Sequence, residues 1–117
     1  MARETTDIFS SGAGPAGLIA AAALAHLGHS VCLVDPNRPI VDGATPGADL
    51  RSTAFLQPAR VLFETIGIWD TLSPHAVPLE VLRIVDTAGD PPQLRAERAF
   101  EADLIGDDPL GWNFLNW

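Results

Sequence analysis

A glycine-rich stretch near the amino terminus, GAGPAG at residues 12–17, constrains the fold of this chain more than any other feature. Residues 7–11 before it are a candidate strand, and residues 15–28 predict a helix. Residues 30–35, SVCLVD, predict a second strand that is apolar on both faces. Two strands joined by a helix are typical of a parallel βαβ unit, in which helices cover both faces of the sheet.

Each glycine of the pattern G-x-G-x-x-G has its own expected role. Gly12 permits a tight turn, Gly14 lets a diphosphate approach the backbone, and Gly17 lets the helix pack closely on the strand. The N–H groups of the first helical turn then face the diphosphate without help from a basic side chain. Asp35 follows the motif at about the spacing, roughly 20 residues, at which an acid binds an adenosine ribose. A glycine turn without a ligand is the alternative, but this context favours dinucleotide binding.

The charge of the chain argues against several classes of partner. Seven basic and fifteen acidic side chains give a formal net charge of −8, which repels nucleic acid and anionic lipid. The longest apolar run, Leu18–Leu27, is about half of the roughly 20 residues that a membrane span needs. The opening MARETTD lacks the pattern of a secretion signal. We therefore expect a soluble, cytoplasmic protein without a membrane span and without a nucleic-acid partner.

The cysteine and the histidines predict no special chemistry. A lone Cys32 excludes an internal disulfide, and its place in the apolar second strand predicts a buried thiol. His26, His29 and His75 lack the spacing of metal ligands, so no metal site is expected.

The rest of the chain predicts a loop, two helical segments and a hairpin. Residues 36–49 are rich in proline and glycine and form either a cofactor-covering loop or a mobile one. Pro58 fits the first position of a helix that Gly67 ends, and residues 69–76 predict a further short helical turn. Alternation in LEVLRIVDTAG and QLRAERAFEA predicts an antiparallel hairpin. The apolar stripe expected to face the core from the helix comprises Val61, Leu62, Thr65 and Ile66.

Longer stretches of the sequence resemble a known family. GAGPAG, ALAHLGHSVCLVD and DLRSTAFLQPARVLFETIGIWDTLSPHAVPLEVLRIVD are together similar to the amino-terminal part of the flavin-dependent aromatic hydroxylases. The similarity is greatest to the polyprenylphenol hydroxylases of ubiquinone biosynthesis. Many FAD proteins share the glycine motif, whereas DLRSTAFLQP followed by LFETIGIWD is much more specific to this group.

The resemblance implies FAD as cofactor and NAD(P)H as co-substrate in the hydroxylation of an aromatic substrate, with O₂ as oxidant. No catalytic side chain is assigned, because the chemistry belongs to the flavin. Asp35 would contact the adenosine ribose and Arg51 the diphosphate region. A polyprenyl substrate would bring the parent protein to a membrane surface without a span. The residues implied around the pyrophosphate are Gly12, Ala13, Gly14, Pro15, Ala16 and Gly17.

The resemblance also implies a domain plan. The fold class is α/β, with a Rossmann-like FAD-binding βαβ unit followed by the first strands of a substrate-domain sheet. Residues 1–78 would be the amino-terminal part of the FAD-binding domain, and residues 79–117 the start of a truncated substrate domain. Trp112, Phe114 and Trp117 either line that domain's pocket or belong to the core. Family members are several hundred residues long, so we expect a fragment, inactive alone.

Two other functions remain open from the sequence. One is the nucleotide-binding half of an NAD-linked dehydrogenase, against which Pro15 and the DLRSTAFLQP stretch argue. The other is a non-catalytic fragment that binds a nucleotide.

Overall fold

The computed structural model describes residues 5–117, and the predicted mixed α/β class is confirmed. The chain divides into two compact units, residues 5–49 with Trp117 and residues 50–116. Short 3-10 turns occupy Ser73–His75 and Ala102–Leu104. The helices and strands are β1 (Ile8–Ser11), α1 (Pro15–His26), β2 (Val31–Val34), β3 (Ser52–Leu56), α2 (Gln57–Thr65), α3 (Trp69–Leu72), β4 (Val77–Leu79), β5 (Val81–Ala88), β6 (Gln93–Glu101) and β7 (Gly111–Leu115).

The first unit contains the β1–α1–β2 arrangement that the glycine motif predicts. β1 and β2 pair in parallel, with Ile8 opposite Val31 and Ser11 opposite Val34. α1 forms the crossover and packs against both strands. Gly28 lies just after the helix with φ of 91°, and its N–H donates to the Ala25 carbonyl at 2.9 Å. This left-handed conformation suits glycine and ends the helix.

The expected burial of the first unit is wrong in part. Residues along β1 and β2 alternate between half-buried and exposed; Phe9 is 66% exposed, and the Cys32 thiol is exposed rather than buried. Within the described residues of this unit, α1 is the helix available to cover the pair. One helix covers one face of a two-stranded sheet, so the residues of the other face stay in contact with solvent.

The second unit has a three-stranded antiparallel sheet in the order β3-β7-β4. Its core is built from aromatic side chains: Phe63 is 2% exposed and Trp112 is 7% exposed. Phe55 meets Phe63 edge-on, with ring centroids 5.3 Å apart, and Trp69 meets Trp112 in the same way at 5.3 Å. Such contacts add to the hydrophobic stabilisation of the core. For Trp112, the position favours the core over a pocket wall.

The predicted apolar stripe of α2 is wrong in part: Ile66 is half-buried as expected, but Val61, Leu62 and Thr65 are exposed. Val61 is 61% exposed and Leu62 is 39% exposed, whereas Phe63 is almost fully buried. Ala59, Phe63 and Ile66 face inward, at the spacing of successive turns of one helix face. Val61 falls on the opposite side of the helix and Leu62 at the edge of the inward face, although both are apolar.

β5 and β6 form the predicted antiparallel hairpin, with a register shift between Asp86 and Thr87. Arg83 pairs with Glu97 across the two strands. The pKa of Glu97 lies below its ordinary value because Arg83 donates a hydrogen bond to its carboxylate.

The boundary between residues 78 and 79 that the sequence suggests for the two functional domains stays a prediction. Among the described residues, no helix is both long enough and apolar enough to cross a membrane.

Candidate functional site

The glycine motif forms the turn between β1 and α1. Gly12 has φ of 108°, a conformation that residues with a side chain rarely adopt. Its N–H still donates to the Val34 carbonyl of β2 at 2.8 Å, so the turn begins where the strand pairing ends. The first glycine therefore has the turn-forming role that the sequence predicts.

Gly14 and Gly17 differ in the space around them. A Cβ placed on Gly17 would overlap the Gly12 carbonyl oxygen and would lie 3.0 Å from its carbon, so that position requires close backbone packing. A Cβ placed on Gly14 would meet nothing within 4 Å among the described residues. Gly14 is thus not required by packing, and the open space beside it fits the approach of a ligand.

The start of α1 offers backbone donors to that space. The first N–H of the helix to be paired is that of Leu18, which donates to the Gly14 carbonyl at 3.0 Å. The N–H groups that precede it in a helix have no carbonyl partner within the helix, and Pro15 has no N–H at all. The N–H groups of Ala16 and Gly17 and the positive end of the helix dipole are therefore suited to an anion.

Asp35 lies at the carboxyl end of β2 and contacts the glycine loop directly. Its Oδ2 accepts a hydrogen bond from the Ala13 N–H at 2.8 Å, and its Oδ1 accepts one from the Asn37 N–H at 2.8 Å. These two bonds hold the pKa of Asp35 below its ordinary value of 3.8, and the bond from Ala13 has the larger effect. The carboxylate is therefore ionised at neutral pH. Asp35 is also exposed to solvent.

The sequence reading assigned Asp35 to the ribose and missed its bonds to Ala13 and Asn37. A local signal exists for the second bond. Asp-Pro-Asn at residues 35–37 is a turn sequence in which an aspartate side chain commonly accepts a hydrogen bond from the N–H two residues later. The bond to Ala13 has no such signal, because it joins residues 22 positions apart.

Arg51 belongs to the second unit and lies directly before β3. Its carbonyl accepts a hydrogen bond from the Asn116 N–H at 3.0 Å, which extends the pairing of β3 with β7. The structure therefore brings together the residues of the glycine loop and Asp35. The predicted contact of the Arg51 side chain with the diphosphate region of a cofactor stays a prediction.

Residues 5–105 match the family model described as FAD binding domain. The chain belongs to this family. FAD is therefore the cofactor that the residues of this site should fit. The open space at Gly14 and the donors of the first turn fit a diphosphate. Asp35 fits as well, since a carboxylate has about four acceptor positions and two of them are occupied here.

Two curated relatives are similar to this member of the FAD-binding domain family. Ubiquinone hydroxylase UbiM of Neisseria meningitidis is 32% identical over 106 residues, which cover 86% of this chain and 23% of the relative. Ubiquinone hydroxylase UbiL of Rhodospirillum rubrum is 36% identical over 85 residues, which cover 73% of this chain and 20% of the relative. The matched part of this chain thus spans between a fifth and a quarter of the length of these relatives.

Proposed function

We propose that this chain forms the FAD-binding part of a flavin-dependent monooxygenase that hydroxylates an aromatic substrate with NAD(P)H and O₂. The observation that carries the proposal is the β1–α1 turn, in which Gly12 shapes the backbone, Gly17 packs closely and Gly14 leaves open space. Membership of the FAD-binding domain family supports FAD. The names of two relatives, both ubiquinone hydroxylases, support monooxygenation.

In this proposal the parallel β1–β2 pair is the start of a Rossmann-like sheet. The diphosphate of FAD lies at the first turn of α1, where the N–H groups of Ala16 and Gly17 and the helix dipole stabilise its charge. The free acceptor positions of Asp35 take the hydroxyl groups of the adenosine ribose. Arg51 contributes positive charge to the diphosphate region, as a guanidinium can pair with two phosphate oxygens.

The residues of this chain act by binding rather than by chemistry. When bound, FAD supplies the electron transfer and the oxygen chemistry. The glycine loop and Asp35 orient the adenosine end of the cofactor and so fix where its reactive end lies. The proposed substrate is a polyprenylated phenol, and its apolar tail would bring the cytoplasmic enzyme to the membrane surface.

The test uses the full-length protein. FAD is titrated into apoprotein and followed by flavin fluorescence, and the bound flavin is then mixed anaerobically with NADH or NADPH. A polyprenylphenol and isotopically labelled O₂ are added last, and the product is analysed by mass spectrometry. We expect flavin reduction and one labelled oxygen atom in the product. Bound flavin that is reduced without any oxygen transfer to a phenol would refute the monooxygenase assignment.

A further inference from the structure

The side chain of Asp35 links the glycine loop to the end of β2, just beyond the last backbone bond between β1 and β2. The last backbone bond of the pair joins the Gly12 N–H to the Val34 carbonyl at 2.8 Å. The next N–H along the chain, that of Ala13, donates to Asp35 Oδ2 at the same distance of 2.8 Å. In a regular strand successive N–H groups point to opposite sides, so the Ala13 N–H reaches Asp35 after the positive φ of Gly12 has ended the strand conformation.

This contact holds the glycine loop at Ala13, between the bond of the Gly12 N–H to β2 and the bond that the Gly14 carbonyl accepts within the helix. Gly12 turns the chain with φ of 108°, and nothing in residues 5–117 lies within 4 Å of a Cβ position on Gly14. Ala13 lies between these two glycines. Its bond to an ionised carboxylate is charge-assisted, and such bonds are stronger than those between neutral groups.

The contact also decides which donors of the loop are left for a ligand. The Ala13 N–H points to Asp35 and is therefore not available to a diphosphate. The donors of the first helical turn, which include Ala16 and Gly17, are held in place because their loop is fixed on the strand side. Asp35 itself is fixed by the bond that its Oδ1 accepts from the Asn37 N–H at 2.8 Å.

We infer that Asp35 is a positioning residue, which fixes the glycine loop through Ala13 before and during cofactor binding, in addition to any bond that it makes to the ribose. This inference rests on the proposed FAD site. The inference goes beyond the proposed site, because it gives Asp35 a second role. A carboxylate that acts only on the ribose has no effect on the loop in the absence of ligand, and no effect on the binding of ligands that lack the ribose hydroxyls.

The chain offers a matched control at the opposite end of the same strand pair. Asp7 Oδ2 accepts hydrogen bonds from the Ser30 N–H at 2.8 Å and from the Ser30 hydroxyl at 2.7 Å. Both aspartates are exposed, both tie β1 to β2, and both have a pKa below the ordinary value because of backbone bonds. Only Asp35 contacts the glycine loop.

The variants to compare are D35N, D35A and D7N in the full-length protein. Asparagine keeps the shape of aspartate but has a single acceptor oxygen. Its oxygen can accept the hydrogen bond from the Ala13 N–H or the one from the Asn37 N–H, but not both. Amide hydrogen exchange at Ala13 is measured by NMR in the apoprotein. We expect faster exchange at Ala13 in D35N and D35A and no change there in D7N. Unchanged exchange in both Asp35 variants would overturn the inference.

The second measurement separates the loop from the ribose. Affinities are measured for FAD and for an FAD analogue that lacks the adenosine ribose hydroxyls. We expect D35N to weaken the binding of both ligands, by about 10-fold for FAD, while D7N binds both as the wild type does. If D35N weakens FAD but binds the analogue as tightly as the wild type does, Asp35 acts on the ribose alone and the inference fails.

The two proposals fail separately. If wild-type protein binds neither ligand, the proposed FAD site is wrong, and exchange at Ala13 still decides whether Asp35 fixes the loop. Urea unfolding of each variant identifies any loss of global stability. An equal loss of stability and of FAD affinity in D7N and D35N would assign both aspartates to the fold and would also overturn the inference.

Discussion

Two glycines of the same loop are expected to respond in opposite ways to substitution. Gly17→Ala places a methyl group against the backbone of Gly12, overlapping its carbonyl oxygen and 3.0 Å from its carbon. No side-chain rotation relieves this contact, because both neighbouring atoms belong to the backbone. Gly14→Val places a larger side chain where, in the described part of the chain, nothing lies within 4 Å of the Cβ. The first change should damage the fold and the second should damage ligand binding.

The magnitudes follow from the geometry. Overpacking costs about 1–3 kcal/mol, and the backbone overlap puts Gly17→Ala at the upper end of that range. Alanine regains about 1 kcal/mol of helix propensity over glycine, which leaves a net loss of about 2 kcal/mol. At Gly14, φ of −72° and ψ of 174° suit any residue, and the loss of a glycine N-cap costs at most about 1 kcal/mol. If the diphosphate occupies the open space, Gly14→Val should weaken FAD binding by about 10- to 100-fold.

The assay compares both variants with the wild type in the full-length protein. Urea unfolding of the apoprotein, followed by circular dichroism, gives the change in the free energy of unfolding. Titration of FAD, followed by flavin fluorescence, gives the change in dissociation constant. Should Gly14→Val retain wild-type FAD affinity, the diphosphate does not approach the loop at this position. Should Gly17→Ala unfold at the wild-type urea concentration, the close packing that we describe does not limit stability.

Four further predictions concern the core, the hairpin, pH and the isolated chain. Phe63→Ala should lower the free energy of unfolding by about 3–5 kcal/mol, and Leu62→Ala by much less, as measured by urea unfolding. Glu97→Gln removes the exposed pair with Arg83 and should leave the thermal midpoint indistinguishable from wild type; a clear drop in that midpoint would contradict this. The folded-state pKa of Asp35 is lowered, so its stabilisation is complete above the unfolded value of about 3.8 and is lost as the pH falls through the folded value. Exchange protection at Ala13 should therefore stay constant from about pH 7 to about pH 5 and fall only below that range. Residues 1–117 expressed alone should aggregate or be only partly ordered, because large apolar side chains of both units are exposed. A chain that is monomeric by light scattering and unfolds cooperatively in calorimetry would contradict this.

The sequence was most informative where a backbone conformation demands one residue type. The positive φ of Gly12 and the close contact at Gly17 restrict both positions to glycine, so the pattern GAGPAG identifies the turn without knowledge of its surroundings. The hairpin β5–β6 was also predictable, because its strands alternate and a turn sequence separates them. In both cases the decisive interactions are local in sequence.

Interactions between distant residues explain what the sequence did not predict. Strand β3 pairs with β7, so that Phe55 lies opposite Trp112, and neither strand has a turn sequence that joins it to the other. On α2, apolar residues occupy more than one face, and the position of the sheet decides that Phe63 rather than Leu62 is buried. The bond from Ala13 to Asp35 is of the same kind, since it depends on where β1 and β2 end relative to one another.

Among the described residues, the two ends of the β1–β2 pair differ in the polar groups that they leave for a ligand. At the amino end, the Thr6 hydroxyl donates to the Ser30 carbonyl at 2.7 Å, and Asp7 accepts bonds from the backbone and hydroxyl of Ser30. These three residues thus bond to one another. At the carboxyl end, Asp35 accepts a hydrogen bond from the Ala13 N–H. Helix α1 begins at Pro15, two residues after Ala13, and the N–H groups of its first turn have no partner within the helix. An anion can satisfy those groups, and for this reason we propose that the diphosphate of FAD lies at the carboxyl end of the strands.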